Sequence, residues 1–515
     1  MGEMSIMKKL ALSETAIGGE SYGPIPNYRV LTIFLATFLA GVFIASFFNL
    51  DFFQIYYFGI ITTLVIVAAN FLINGYLTKI FSAAATMFLI GFLLFSYTNT
   101  KLSNLNLPFD QNVEFSGIIS SYPNIDGNSQ NFYLETTDFG PVKKIYVSTS
   151  VFPNYSYGNK IKIKTTITRP INISSFDWVS YLKRFGTVAT TANSPEIALI
   201  SADGGNKLLK KLYAVRKSFE IAVQKTLPEP ESSLGIGILI GSKQGFSKDL
   251  INDFAKVGIT HIIALSGYNV TIIIIFLTDI LLGLISRKKI FILSIMLICG
   301  FVAMTGAASS VIRAAIITLL IAFGKTIGRR ADMTNLILLS AAAMVAINPF
   351  VLRFDTGFQL SFLAFTGLVY FSPIVEKIFS KKFFKVWPNF IKSAVTETLS
   401  AQIFVLPLIL STFGLISIIA PVTNVLILPT VPAIMLFVFL STIIYWIVPV
   451  IGKLTFLICY LPLKYIILVS EYFARLPIAA IQISGNWQTG IIIIYILLLG
   501  FIIFKNKKIY DPQTN

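Results

Sequence analysis

Long apolar runs separated by short polar breaks fill most of this chain, and the lengths of those runs predict its architecture. A helix rises about 1.5 Å per residue, so a hydrocarbon core of roughly 30 Å takes about 20 apolar residues to cross. Runs of that kind occupy 30–49, 53–74 and 80–97. The hydropathy then stops from about 100 to 205 and resumes with candidate spans at 263–285, 289–306, 308–326, 333–348, 356–375, 392–413, 428–447, 453–470 and 487–504. The fold expected is therefore a polytopic α-helical membrane protein of about 12 spans, interrupted by one polar insert. The stretch 415–432 carries Pro421, Asn424, Pro429 and Pro432. Such a segment persists at membrane depth only where protein or water satisfies its freed backbone groups, so it is read as a broken or re-entrant helix.

The insert has a different period. Residues 113–121, 131–137, 143–149 and 159–168 are short, β-branched or aromatic, and partly alternating, with Asn, Gly, Pro and Asp between them. About five such strands predict a small all-β domain, an OB-like barrel or a sandwich. Behind it, 207–227 is a basic amphipathic helix with Leu208, Leu212, Val215 and Phe219 on one stripe and most of its lysines elsewhere. An interfacial or packing helix is the ordinary reading of that pattern, and collection of a polyanion is the other.

Composition adds orientation. The chain is 515 residues long, 55% hydrophobic and 13% charged, with a formal charge of +17. Lysine and arginine concentrate in cytoplasmic loops of membrane proteins. Lys8, Lys9, Arg29 and Lys79 place the N-terminus and the 75–79 loop inside, which puts the insert outside. Arg287-Lys288-Lys289, Lys325 with Arg329-Arg330, Lys377 to Lys385, and Lys505 to Lys508 then fall inside by alternation. The organisation predicted is a cytoplasmic N-terminus (1–29), three helices (30–99), an extracytoplasmic OB-like domain (100–204), linker helices (205–257), a channel core (258–505) and a cytoplasmic tail (506–515), in a multi-pass protein of the cell membrane.

Chemistry is limited by what is scarce. His261 is the single histidine, and Cys299 and Cys459 sit apart inside apolar runs. No metal centre, cofactor or catalytic step is expected from that inventory. His261 and Ser266 lie roughly 140° apart on a helix, which argues against a serine hydrolase.

Polar groups inside spans are costly and mark candidate sites. Four clusters qualify: His261, Ser266, Gly267, Tyr268 and Asn269; Arg313 beside the small-residue stripe Gly306, Ser310 and Ala314; Asp355, Gln359 and Ser361; and Glu397 with Gln402. The ordinary alternative is that Arg313 pairs with Asp355 or Glu397 and fixes helix packing, with the stripe letting helices approach.

Three segments, 241–270 (GSKQGFSKDLINDFAKVGITHIIALSGYNV), 305–315 (TGAASSVIRAA) and 348–367 (NPFVLRFDTGFQLSFLAFTG), resemble the membrane core of the ComEC competence family of DNA-internalisation channels. The end of the insert, 174–191, is similar to that family's closing segment at Phe176, Asp177, Tyr181, Leu182 and Gly186. The resemblance spans about 30 to 505. It implies that Gly258, His261, Ser266, Gly267, Arg313, Ala314, Asp355, Gly357, Phe358, Gln359, Leu360 and Ser361 belong to a channel core carrying single-stranded DNA inward. Two departures are Tyr268-Asn269 for the commoner Leu-His, and Ser309 for the usual proline. The family's metallo-β-lactamase-like nuclease domain has no counterpart in these residues, so a separate nuclease is expected, with a separate DNA receptor; since no P-loop occurs, the driving force is expected from a cytoplasmic ATPase or from the proton gradient. A secondary transporter or small-ion channel, built on Asp355 and Glu397, and a membrane scaffold without transport remain the alternative readings.

Overall fold

The computed structural model describes residues 27–500, less 73–74, 105–106, 141–142, 173–176, 193–194, 243, 264–286, 327–331, 380–387, 484–488, 491–492, 494 and 498–499. The expected span at 263–285, the candidates Ser266, Gly267, Tyr268 and Asn269, the ends of the chain and much of 487–504 lie outside the described residues. Seven helices of 18 to 28 residues are long and apolar enough to cross a membrane, and four apolar helices are shorter. The chain is thus a polytopic helical membrane protein. Three expected spans, 289–306, 308–326 and 333–348, appear as the shorter helices.

The first three helices are α1 (Asn27–Ala45), α2 (Phe52–Leu72) and α3 (Tyr76–Ser103). α1 and α3 meet backbone to backbone: a Cβ on Gly41 would lie 2.0 Å from the carbonyl oxygen of Phe88, and one on Gly91 2.2 Å from that of Phe38. Small residues permit such close approach, and it is stabilised by packing of whole helix faces. Gly41→Leu must push the helices apart. Its expected outcome is a lowered melting temperature of the purified chain; an unchanged value would show that α1 and α3 do not pack this way. α2 buries only Ile55 and lies outside, against α3.

The insert forms β1 (Asn112–Ile119), β2 (Asn124–Asp126), β3 (Ser129–Thr136), β4 (Lys143–Ser150), β5 (Lys160–Thr168), α4 (Trp178–Lys183), β6 (Thr187–Thr191) and β7 (Glu196–Ser201). Five strands close a barrel in the order β1-β3-β4-β6-β5 and back to β1, all neighbours antiparallel except β4 with β6. Strict alternation drives the closure. In β5, Ile161, Ile163 and Ile167 point inward among Phe115, Phe132, Leu134, Ile145 and Val147, while Lys160, Lys162 and Lys164 face out. This is the Greek-key order of an OB-type barrel.

The remaining elements are α5 (Lys207–Thr226), α6 (Glu231–Ile240), α7 (Lys248–Lys256), α8 (Thr260–Ile263), α9 (Arg287–Met304), α10 (Ser309–Thr326), α11 (Met333–Ile347), α12 (Val351–Phe354), α13 (Thr356–Phe379), α14 (Asn389–Phe413), β8 (Leu415–Ser417), α15 (Ala420–Ile427), α16 (Val431–Ile447), α17 (Pro449–Ala474) and β9 (Ala480–Gln482). Two apolar cores result. One joins α1, α3, α11, α12 and α13 through Phe92, Phe95, Val345, Phe350 and Phe358. The other joins α5, α6, α7, α16 and α17 through Val223, Ile238, Phe254, Val438 and Leu463, with every residue of α6 buried. Between them the helix contacts run in a closed circuit: α5 to α9, α10, α13, α14, α15, α17 and back to α5.

The interrupted stretch 415–432 takes a definite form. Gly414 ends α14 in the left-handed region, β8 pairs with β9, and a single 3-10 turn at Leu428–Thr430 joins α15 to α16. Prolines at the starts of these pieces remove N–H groups that would have no partner in any case.

α5 corrects one expectation. Its buried face is Tyr213, Arg216, Phe219, Glu220, Ala222 and Val223, whereas Leu208 and Val215 are exposed. The stripe drawn from hydrophobicity alone is rotated because Arg216 and Glu220 neutralise each other at 3.0 Å and are buried together.

Candidate functional site

Polar residues from distant parts of the chain converge where the barrel meets the helices. α4 is set by Asp177, whose carboxylate accepts from the Ser180 amide (3.1 Å), and by Leu182, which is fully buried in the barrel domain. Gly186 then turns the chain into β6 with φ +78. This local geometry presents Arg184, whose guanidinium lies over Tyr181 (4.7 Å) and Phe185 (4.3 Å) and forms an ion pair with Asp355. The side chains of the pair are 16% and 5% exposed, so the charges meet largely out of water. Asp355 also accepts from the amide of Phe358 (3.1 Å), capping α13, and from the hydroxyl of Ser309 at the start of α10. The residue that departs from the family pattern at 309 is thus a ligand of the buried carboxylate. Asn348, at the end of α11, donates to the carbonyl of Arg184 (2.7 Å).

Two further contacts fasten the barrel. Lys183 donates to Asn99 (2.8 Å) and Ser103 (3.1 Å) at the end of α3, and burial pulls its ammonium below the ordinary lysine range. Tyr122 donates to Glu220 (2.6 Å) beneath the guanidinium of Arg216, which itself donates to the Met304 carbonyl (3.3 Å) at the end of α9. Burial and the Glu220 charge both raise the phenol of Tyr122. The C-terminal ends of α3, α9 and α11 and the start of α13 therefore gather under the barrel. At the opposite end Asn335 bonds Thr32 and the Tyr28 carbonyl, joining the starts of α1 and α11. These contacts agree with the up-and-down alternation expected for α1, α3, α9, α11 and α13.

On the barrel, Tyr133, Tyr146, Trp178, Tyr181 and Phe185 form a partly exposed aromatic cluster next to Arg184. Phe185 stacks on Tyr133 (4.8 Å) and Trp178 on Tyr181 (5.4 Å), with Tyr146 edge-on to Trp178. Neither this cluster nor Arg184 was picked out from the sequence. The signal available was their position in the closing segment, because a charged residue in a polar insert looks unremarkable until its buried partner is known.

The expected intramembrane sites are redistributed. Arg313 pairs with neither Asp355 nor Glu397: it donates to the Ser361 carbonyl, lies between Phe362 (5.8 Å) and Phe365 (5.4 Å), and its Nε has no hydrogen-bond partner. Glu397 accepts from Ser393 (2.9 Å) on its own helix. Gln359 donates to the Leu352 and Arg353 carbonyls and closes the end of α12. Two carboxylates around one small cavity, the arrangement a small-ion transporter would use, are not formed by Asp355 and Glu397. Nor do Gly306, Ser310 and Ala314 form one helical stripe. Gly306 (φ +80) and Ala307 (φ +57) make the turn between α9 and α10, and nothing lies within 4 Å of a Cβ at Gly306. Ala314 alone of the three is buried. His261 is exposed on α8, just after Gly258, where a Cβ would strike Ala420 at 2.5 Å. Along α14 and the strand and helix that follow it, Thr396, Thr398, Ser400, Gln402, Ser417 and Asn424 hold buried oxygen atoms without hydrogen-bond partners. Among the described residues no group of three His, Cys, Asp or Glu side chains is placed to hold a metal ion.

Comparison with known proteins completes the description of the site. The family model described as "Competence protein" matches residues 238–508, more than half of the chain. ComE operon protein 3 of Bacillus subtilis (strain 168) is 25% identical over 351 residues, covering 66% of this chain and 43% of that protein. The chain therefore spans less than half the length of that relative. No solved structure matches it.

Proposed function

The chain belongs to the competence protein family, and from that membership we propose that it is a membrane channel passing single-stranded DNA into the cytoplasm during natural transformation. The observation that carries the reading is the joint between barrel and helices: an aromatic cluster and Arg184 sit directly above Asp355 and the start of the Arg313 helix. Rings offer stacking surfaces that every base can use, and the Arg184–Asp355 pair fixes them over the helix ends. The barrel faces outward and both termini face the cytoplasm in this reading, which the lysine- and arginine-rich loops support. Arg313 and His261 belong to the path, the first as a cation without a carboxylate partner among the described residues, the second as an imidazole on a four-residue helix held between α6 and α7. A DNA receptor, a nuclease activity and an ATPase complete the uptake pathway in this reading.

The test is uptake of labelled duplex DNA by competent cells with and without the chain. Cells carrying it accumulate nuclease-protected single-stranded label, and cells carrying a membrane-inserted His261→Ala chain accumulate less. Equal uptake in cells lacking the chain would rule the reading out.

A further inference from the structure

α5 leaves the barrel and enters the helical core, and its two faces have opposite character. Its first half is clasped by the barrel: the Asn206 amide donates to Tyr157 (3.0 Å), and Tyr213 packs against Tyr157 (5.1 Å) and Tyr122 (5.3 Å). Its second half lies among membrane helices. The Cβ position of Gly235 is within 4 Å of side-chain atoms of Val223, Val438 and Leu463 together. Val438 and Leu463 lie inside the candidate spans Ala420–Ile447 and Pro449–Ala474, each about 10 Å or more from either end of its helix. Val223 is therefore level with span interiors.

The opposite face carries Lys207, Lys211, Lys217 and Lys225, exposed and in no ion pair among the described residues, with the exposed Leu208, Val215 and Ile221 between them. At 100° per residue Lys207, Lys211 and Lys225 fall within about 40° of one another, and the stripe extends about 27 Å along the axis. The one acid of the helix, Glu220, is buried on the other side with Arg216. An exposed ammonium two residues beyond Val223 is at a depth where lipid would leave it without hydration, and intramembrane charges face aqueous cavities or partners instead. An anchor for anionic headgroups would keep its lysines at one level of the bilayer, as amphipathic interfacial helices do. This stripe runs along the direction from barrel to core.

We infer that the lysine face of α5 lines a water-filled track that holds the phosphodiester backbone of the translocating strand. The assignment rests on the DNA-channel reading and names the residues that would carry the polyanion beyond the barrel. Ammonium groups that make no ion pair among the described residues attract phosphates of any sequence, and their flexible stems let a strand slide.

The experiment uses the full chain in membranes with Cys299→Ser and Cys459→Ser as background. Lys225→Cys, with Lys207→Cys as the barrel-side control, is exposed to a charged, water-borne thiol reagent with and without a polythymidine oligonucleotide. Both positions react, and the oligonucleotide slows the reaction at Lys225→Cys severalfold. In parallel, Lys207→Gln/Lys211→Gln/Lys225→Gln flattens the dependence of log affinity for the oligonucleotide on log salt by about 2, at ~0.7 for each phosphate left without its ammonium, and lowers DNA uptake. An unreactive Lys225→Cys in a chain whose Lys207→Cys reacts, or protection by anionic lipid and not by the oligonucleotide, overturns the inference. So does normal uptake by the triple variant. Failure of the wild-type chain to support uptake overturns the channel reading itself, which keeps the two failures distinguishable.

Discussion

Arg184→Glu abolishes DNA uptake, and exchanging the pair as Arg184→Asp with Asp355→Arg restores part of it. The expectation follows from burial. Asp355 is 3% exposed and has three donors converging on its carboxylate, from Arg184, Ser309 and the Phe358 amide. Removing one member of a buried pair leaves an uncompensated charge and costs about 3–5 kcal/mol. In Arg184→Glu two carboxylates face each other, so the barrel lifts from the ends of α11 and α13. The exchange restores opposite charges but removes the cap on α13, which is why rescue is partial. Asp355→Asn keeps the cap and the Ser309 contact while orphaning Arg184, and it falls between the two. Uptake of nuclease-protected label, with protease sensitivity of the segment joining α3 to the barrel, reads both function and docking. Full activity of Arg184→Glu would show that the joint is dispensable.

Arg313→Met separates function from stability. Arg313 has no carboxylate partner among the described residues: its contacts there are the Ser361 carbonyl and the rings of Phe362 and Phe365. Removing a partly buried charge that no carboxylate balances among the described residues relieves its desolvation cost, so the substitution leaves the fold intact. The expected result is an inserted chain with an unchanged or higher melting temperature and uptake reduced by more than about tenfold, the equivalent of one charge-assisted hydrogen bond of ~1.5–3 kcal/mol. Arg313→Lys retains the charge without the planar fork and recovers uptake in part. Undiminished uptake in Arg313→Met would assign Arg313 to helix packing alone.

How much of this was legible in the sequence depends on the range of the interaction that decides each feature. The barrel strands were, because alternation over eight residues such as Lys160 to Ile167 is a local signal. The long spans were too. The form of 415–432 was only half visible: its prolines announce an interruption, but the pairing of Leu415–Ser417 with Ala480–Gln482 is set by a segment some 65 residues away. Hydrophobic pattern assigned the wrong face to α5 because a mutually neutralising Arg216–Glu220 pair is invisible to it. The Gly306 stripe failed because Gly306 and Ala307 adopt left-handed backbone and end the helix. Asp355 was recognisable as an expensive carboxylate, yet its partner was not, since nothing periodic links positions 184 and 355.

That separation in the chain also fixes an order of biogenesis. β6, which closes the barrel, follows Arg184 directly, so the insert is complete soon after it leaves the ribosome. Asp355 is synthesised 171 residues later than Arg184. At about 5–20 residues per second the interval is on the order of ten seconds or more. Until then the rings of Tyr181 and Phe185, from its own segment, are the contacts open to the guanidinium. The nascent barrel thus waits as a finished cap, and the arrival of a single buried carboxylate marks the moment when the membrane helices beneath it have assembled.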